Sequence, residues 1–128
     1  AAKLMREWHV GYLVVVDSRN PASLRPVGVL TDRDIVVAVV AKGEDPRALQ
    51  VGDVMTRDPL VIAVDKSLAF ALGEMRRIGV RRVPVVGAAG EVVGVLSLDD
   101  VLDALAEQLL GVVGSIRGEL RMEAELRP

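Results

Sequence analysis

The chain of 128 residues has no cysteine. That absence excludes disulfides, thiolate metal sites and cysteine nucleophiles, and it fits a cytoplasmic protein in a reducing compartment. Aromatic residues are nearly absent as well, with one Trp, one Tyr and one Phe. A core must therefore be aliphatic, and the 51% of apolar residues is enough to build one. Charge of one sign is also lacking: 16 basic residues against 18 acidic ones leave a net charge of −2. Nothing in that balance suggests a nucleic-acid partner. The longest apolar run, "IVVAVVA" at 35–41, falls far short of the ~20 residues a membrane helix needs. No signal-peptide pattern opens the chain.

Catalytic signals are equally scarce. His9 is the sole histidine, so neither a histidine-based metal site nor a Ser-His-Asp triad can be assembled. The glycines of "GAAGEVVG" at 87–94 have the wrong spacing for a dinucleotide fingerprint, and no P-loop pattern occurs. The chain reads as a non-enzyme without a metal.

What is present is repetition. "GVLTDRDI" at 28–35 and "GVLSLDDV" at 94–101 are one phrase written twice. At an offset of 70, Met5, Arg6, Val10, Val15 and Val16 fall on Met75, Arg76, Val80, Val85 and Val86. At an offset of 66, Gly28, Val29, Leu30, Asp34 and Ala38 fall on Gly94, Val95, Leu96, Asp100 and Ala104. The offset changes because "DSRNPASLRP" is four residues longer than its counterpart "GAAGEV". Such matches at two nearly equal offsets mark a duplication.

The second copy defines the unit. "PLVIAV" at 59–64 reads as a buried strand. Asp65 is the expected cap of a helix over 66–78 with Leu68, Leu72 and Met75 on one face, ended by Gly79. "RRVPVV" at 81–86 is a second strand, in which Pro84 calls for an edge or a bulge. "GAAG" turns into a third strand, "EVVGVL", and Ser97 opens a long helix. The order is β-α-β-β-α. The first copy shows helix 3–9, strands 12–16 and 26–31, and helix 32–42. Its opening strand is expected to lie before residue 1, with 43–56 as the linker.

Thr31-x-x-Asp34 and Ser97-x-x-Asp100 each precede an apolar helix. Their plain reading is a capping box, in which the hydroxyl caps the helix and the acid reaches back. The same helix end offers free N–H groups to a phosphate. Arg33, Arg81 and Arg82 are candidate phosphate ligands, since guanidinium binds phosphate in bidentate fashion. Adjacent strand residues point to opposite faces, so only one of Arg81 and Arg82 is expected in a given cleft.

Taken together, "DVMTRDPLVIAVDKSL", "GVRRVPVV" and "GVLTDRDI" resemble a tandem CBS-domain pair, or Bateman module, of the stand-alone bacterial and archaeal type. The resemblance covers residues 1 to about 112. It implies an α/β (α+β) fold of two β-α-β-β-α units packed about a pseudo-twofold axis, with two clefts between them. It divides the chain into a first repeat with linker at 1–48, a second repeat at 49–112 and a helical tail at 113–128. It further implies a regulatory module that senses an adenosyl ligand such as AMP, ADP, ATP or S-adenosylmethionine and passes the state to an effector. The alternatives are a structural dimerisation module without ligand, or a regulatory fragment of a larger enzyme or transporter.

By family position, Asp34 and Asp100 would take ribose hydroxyls and Thr31 and Ser97 the phosphate. Leu60, Val61, Ile62, Val83 and Pro84 would wall the adenine slot. Tyr12, Leu13 and Val14 stand where the second copy has "RVP", so the two clefts are expected to differ. A homodimer is expected through apolar helix faces such as Leu72 with Met75 and Leu102 with Leu105. In the tail, Leu109, Val113, Ile116 and Leu120 recur at helical spacing, while Gly111, Gly114 and Gly118 weaken the helix and fraying is expected near 121–128.

Overall fold

The duplication is visible first in the way two helices end. Helix α1 (Ala2–Trp8) closes on His9, whose φ of 53° is left-handed, and helix α4 (Leu68–Ile78) closes on Gly79 at φ 79°. In both, the next residue donates back to a buried methionine: Val10 N–H to the Met5 carbonyl and Val80 N–H to the Met75 carbonyl, each at 3.0 Å. Histidine tolerates this conformation better than most residues, and glycine adopts it freely. The offset of 70 is thus a structural repeat, anchored by Met5 and Met75.

The computed structural model describes residues 1–17, 19 and 24–126. Strands β1 (Tyr12–Val16) and β2 (Pro26–Thr31) pair antiparallel, with Leu13 opposite Leu30 and Val14 opposite Val29. Thr56, the last residue of the expected linker, and Arg57 form β3 and join the far side of β2. That close approach explains a glycine of the repeated phrase: a Cβ on Gly28 would collide with the Met55 side chain, whereas one on Gly94 would meet nothing. Helix α2 (Asp32–Ile35) runs on into a wider, π-helical stretch at Val36–Val40, closed by Ala41 N–H to the Val36 carbonyl. Four β-branched valines in five residues are poor α-helix formers. The expected helix over 32–42 is therefore only partly α-helical. A short helix α3 (Val51–Val54) precedes β3.

The second sheet has the order β4-β5-β6. Strand β4 is only Ile62–Ala63, shorter than the expected 59–64, and runs parallel to β5 (Arg82–Val86) with Ile62 opposite Val85. Helix α4 makes the crossover that a parallel pair requires. It is capped by Ser67, whose Oγ accepts from Phe70 N–H at 3.2 Å, and not by Asp65. A turn bonded from Lys66 N–H to the Ala63 carbonyl occupies the positions between. The inward residues of α4 are Ala71 and Met75, while Leu68 is exposed. Met75 is thus core and not an interface residue. Pro84 sits in the middle strand of the sheet and is fully buried, against the expectation of an edge or bulge. Its missing N–H is tolerated next to β4 because that ladder begins one residue later, at Val85.

The chain divides into two compact units, 1–95 and 96–128. The second holds the end of β6 (Val92–Ser97) and α5 (Leu98–Leu126), an unbroken helix of 29 residues. It passes through Gly111, Gly114 and Gly118 without interruption and continues across most of the stretch expected to fray. Residues 127–128 lie outside the described chain. Among the described residues, no helix is long and apolar enough to cross a membrane.

Candidate functional site

The first repeated phrase forms the capping box that its spacing predicts. Thr31 Oγ1 accepts from Asp34 N–H at 3.1 Å, while Thr31 N–H and its hydroxyl donate to Asp34 Oδ2 at 2.8 and 2.7 Å. Both Thr31 bonds use the same carboxylate oxygen, which holds the side chain in one orientation. The next residue, Asp32, folds over the start of β1: its N–H donates to the Gly11 carbonyl, and a Cβ on Gly11 would lie 2.7 Å from Asp32 Oδ2. Asp32 Oδ1 accepts from Arg33 N–H at 2.8 Å.

This helix start opens onto a cleft of about 400 Å³ lined by Gly11, Tyr12, Thr31, Asp32, Arg33 and Thr56 on one side and Gly79, Val80, Arg81 and Arg82 on the other. An adjoining hollow of about 340 Å³ shares Tyr12, Thr56, Val80 and Arg82 and extends to Asp58, Pro59, Leu60 and Val83. Both volumes fall in the range of small-molecule sites. Residues of both copies line the cleft, so the site lies between the repeats within the first compact unit.

Arg81 and Arg82 both line it, against the expectation that only one could. Strand β5 begins at Arg82, so Arg81 occupies a bend where strand alternation does not hold. Neither arginine is without a partner inside the chain. With Arg33, three arginines line the cleft together with one acidic residue, Asp32. Tyr12 stands between the two hollows. Burial pushes its phenol up to about 12, against the opposing pull of the Arg82 cation. The hydroxyl is therefore a neutral donor at physiological pH.

The other candidates are scattered. Leu60 and Val83 line the apolar end, with Val83 itself almost fully buried. Val61 is exposed and lines neither hollow, and Ile62 and Pro84 are core. Asp34 backs Thr31 and is not part of the cleft wall. In the second unit, Ser97 Oγ donates to Asp100 Oδ2 at 2.6 Å and accepts from Asp100 N–H at 3.1 Å, repeating the cap. Ser97 is buried there and Asp100 exposed.

A profile of the CBS domain matches residues 1–41 and 51–107. The chain belongs to the CBS-domain family. A Methanopyrus kandleri relative is 31% identical over 98 residues, covering 77% of this chain and 48% of its own. The chain thus spans about half the length of that relative. A CBS domain protein from Pyrobaculum aerophilum, solved in complex with AMP, is 34% identical with a TM-score of 0.68, over 77% of this chain and 72% of that one. CBSX2 in complex with AMP is 29% identical with a TM-score of 0.66, over 83% and 78%. The tandem pair implied by the repeated phrases is the fold.

Gly11, Tyr12, Thr56 and Asp58 line the site without having been singled out for it by sequence reasoning. The signal for the first two was available. At the offset of 70 they are the counterparts of Arg81 and Arg82, and both pairs line one cleft.

Proposed function

We propose that this chain is a regulatory module that binds an adenine nucleotide in the Thr31 cleft and transmits its occupancy by a change of conformation or assembly. The observation that carries this reading is the convergence of a capped helix start with Arg33, Arg81 and Arg82 on one cleft shared by the two copies. The N–H groups of Thr31, Asp32, Arg33 and Asp34 are all bonded within the chain, so the donors for a phosphate are the arginines, whose guanidinium groups bind it in bidentate fashion. Asp34, behind Thr31, accepts from both its N–H and its hydroxyl and so fixes this edge of the cleft. The hollow walled by Leu60, Pro59, Val80 and Val83 gives an adenine ring an apolar slot. The AMP complexes of two relatives support the choice of ligand.

Calorimetry with AMP tests it. Asp34→Ala should weaken binding by about 1–3 kcal/mol, because the Thr31 N–H and hydroxyl lose their acceptor and the edge of the cleft is released. Absence of binding by AMP, ADP, ATP and S-adenosylmethionine to the unaltered protein would reject the reading.

A further inference from the structure

Resting on the nucleotide reading of the cleft and deepening it, we infer that Tyr12 is a specificity-determining residue of that site. Its hydroxyl donates to the ligand's phosphate and commits the cleft to phosphorylated adenosyl ligands, against those that carry a thioether or a sulfonium in that place. Tyr12 stands directly opposite Thr31 in the β1–β2 ladder, and residues opposite one another share a face of the sheet. Val29, two residues back from Thr31, and Thr56, opposite Val29, continue that face. All four line the cleft, and Tyr12 supplies its aromatic ring. Because Tyr12 also lines the apolar hollow, it marks the step from the basic end of the site to the slot for the base.

The first copy has little else with which to hold a phosphate. Its N–H groups from Thr31 to Asp34 are engaged, and the Thr31 hydroxyl both donates to and accepts from Asp34. Among that copy's cleft residues, the side-chain donors that remain are the Arg33 guanidinium and the Tyr12 phenol. Tyr12 shares both hollows with Arg82 of the second copy, whose cation pulls on the phenol. A phosphate held by Arg82 therefore lies beside the hydroxyl. Arg82 also has a contact within the chain, but a guanidinium carries five donors. Burial keeps the phenol neutral, and a neutral phenol donates where a phenolate would repel an anion. A thioether offers that hydroxyl only a weak acceptor. A sulfonium cation would meet Arg33, Arg81 and Arg82 with only Asp32 of opposite sign in the same wall.

Calorimetry of the unaltered protein with AMP, methylthioadenosine and S-adenosylmethionine tests the selection. AMP should bind ~10-fold or more tightly than methylthioadenosine, and S-adenosylmethionine most weakly. Tyr12→Phe, which keeps the ring, should weaken AMP by about 5- to 10-fold and methylthioadenosine far less. Tyr12 is the sole tyrosine, so isotope-labelled tyrosine gives a single NMR signal for the ring carbon that bears the hydroxyl. That signal should move markedly further on saturation with AMP than with methylthioadenosine. The ligand series and the signal are read on the unaltered protein, so they decide the matter even where the variant folds poorly. Methylthioadenosine or S-adenosylmethionine binding as tightly as AMP would overturn the inference and leave an adenosyl site standing. An equal loss for AMP and methylthioadenosine in Tyr12→Phe, or no loss for AMP, would overturn it too, since the hydroxyl would then act through the fold or not at all. Failure of the unaltered protein to bind any of the three would reject the nucleotide reading itself, and this inference with it.

Discussion

The starts of β1 and β5 are the same position of the repeated unit, yet one reads Gly11-Tyr12 and the other Arg81-Arg82. Compared as sequences, they suggest two unequal clefts, one basic and one not. In the folded chain they face each other across one cleft. At these two strand starts the first copy supplies an aromatic ring and small backbone and the second supplies two arginines to the same wall. A substitution in either copy then alters the same site, and an internal repeat can diverge into complementary rather than redundant parts.

Packing gives the sharpest way to break the comparison. Leu30 and Leu96 are counterparts in the repeated phrase, but Leu30 is 2% exposed while Leu96 is only half-buried. Leu30→Ala should cost about 2–5 kcal/mol of stability and Leu96→Ala about 1–2, because the cavity and transfer costs scale with how completely the side chain is enclosed. Urea unfolding of the two variants measures both. Equal losses would show that the copies are packed alike despite their different exposure.

Much of this architecture is legible in the sequence. β1 and β2 follow from the internal repeat, and the helix caps at Thr31 and Ser97 from the Thr-x-x-Asp and Ser-x-x-Asp spacing, which is a local property. The misses are tertiary. β4 shrinks to Ile62–Ala63 because a continuous apolar run signals burial without fixing its hydrogen-bonding partner. β3 escapes a sequence reading because Thr56–Arg57 has no pattern of its own and pairs only because Gly28 lets it approach. The missing donor of Pro84 points to an edge, but the length of the neighbouring strand decides the matter. Tyr12 reads as a departure from the second copy and not as a wall of the cleft, since only the packing of the repeats brings it to Arg82.

The second contrast lies inside the phrase itself, where Arg33 corresponds to Asp99. Arg33 lines the cleft and is exposed, so its attraction for a phosphate is screened and moderate. Arg33→Asp should weaken AMP by about 1–2 kcal/mol, roughly tenfold, and leave adenosine, which lacks the phosphate, nearly unchanged. Calorimetry with both ligands separates the outcomes. An equal loss for adenosine would place Arg33 against the nucleoside or in the fold, and no loss for AMP would remove it from the site.

The smallest effect concerns the other side of the wall. Tyr12 is the only tyrosine, so phenolate absorbance reports it alone. Its folded-state value is raised from 10 to about 12 by burial. The sign follows: the stability contributed by the buried neutral phenol is fully present below pH 10 and is lost as pH rises through about 12. The absorbance titration should therefore have its midpoint near 12 in the folded protein and return to about 10 in urea. Arg82 acts against burial, since its cation favours the phenolate. Arg82→Ala should thus move the midpoint upward, and a downward shift would mean that Arg82 instead shields the phenol from water. A midpoint near 10 in the folded protein would show that Tyr12 is solvated and that the cleft lacks the half of its wall contributed by the first copy.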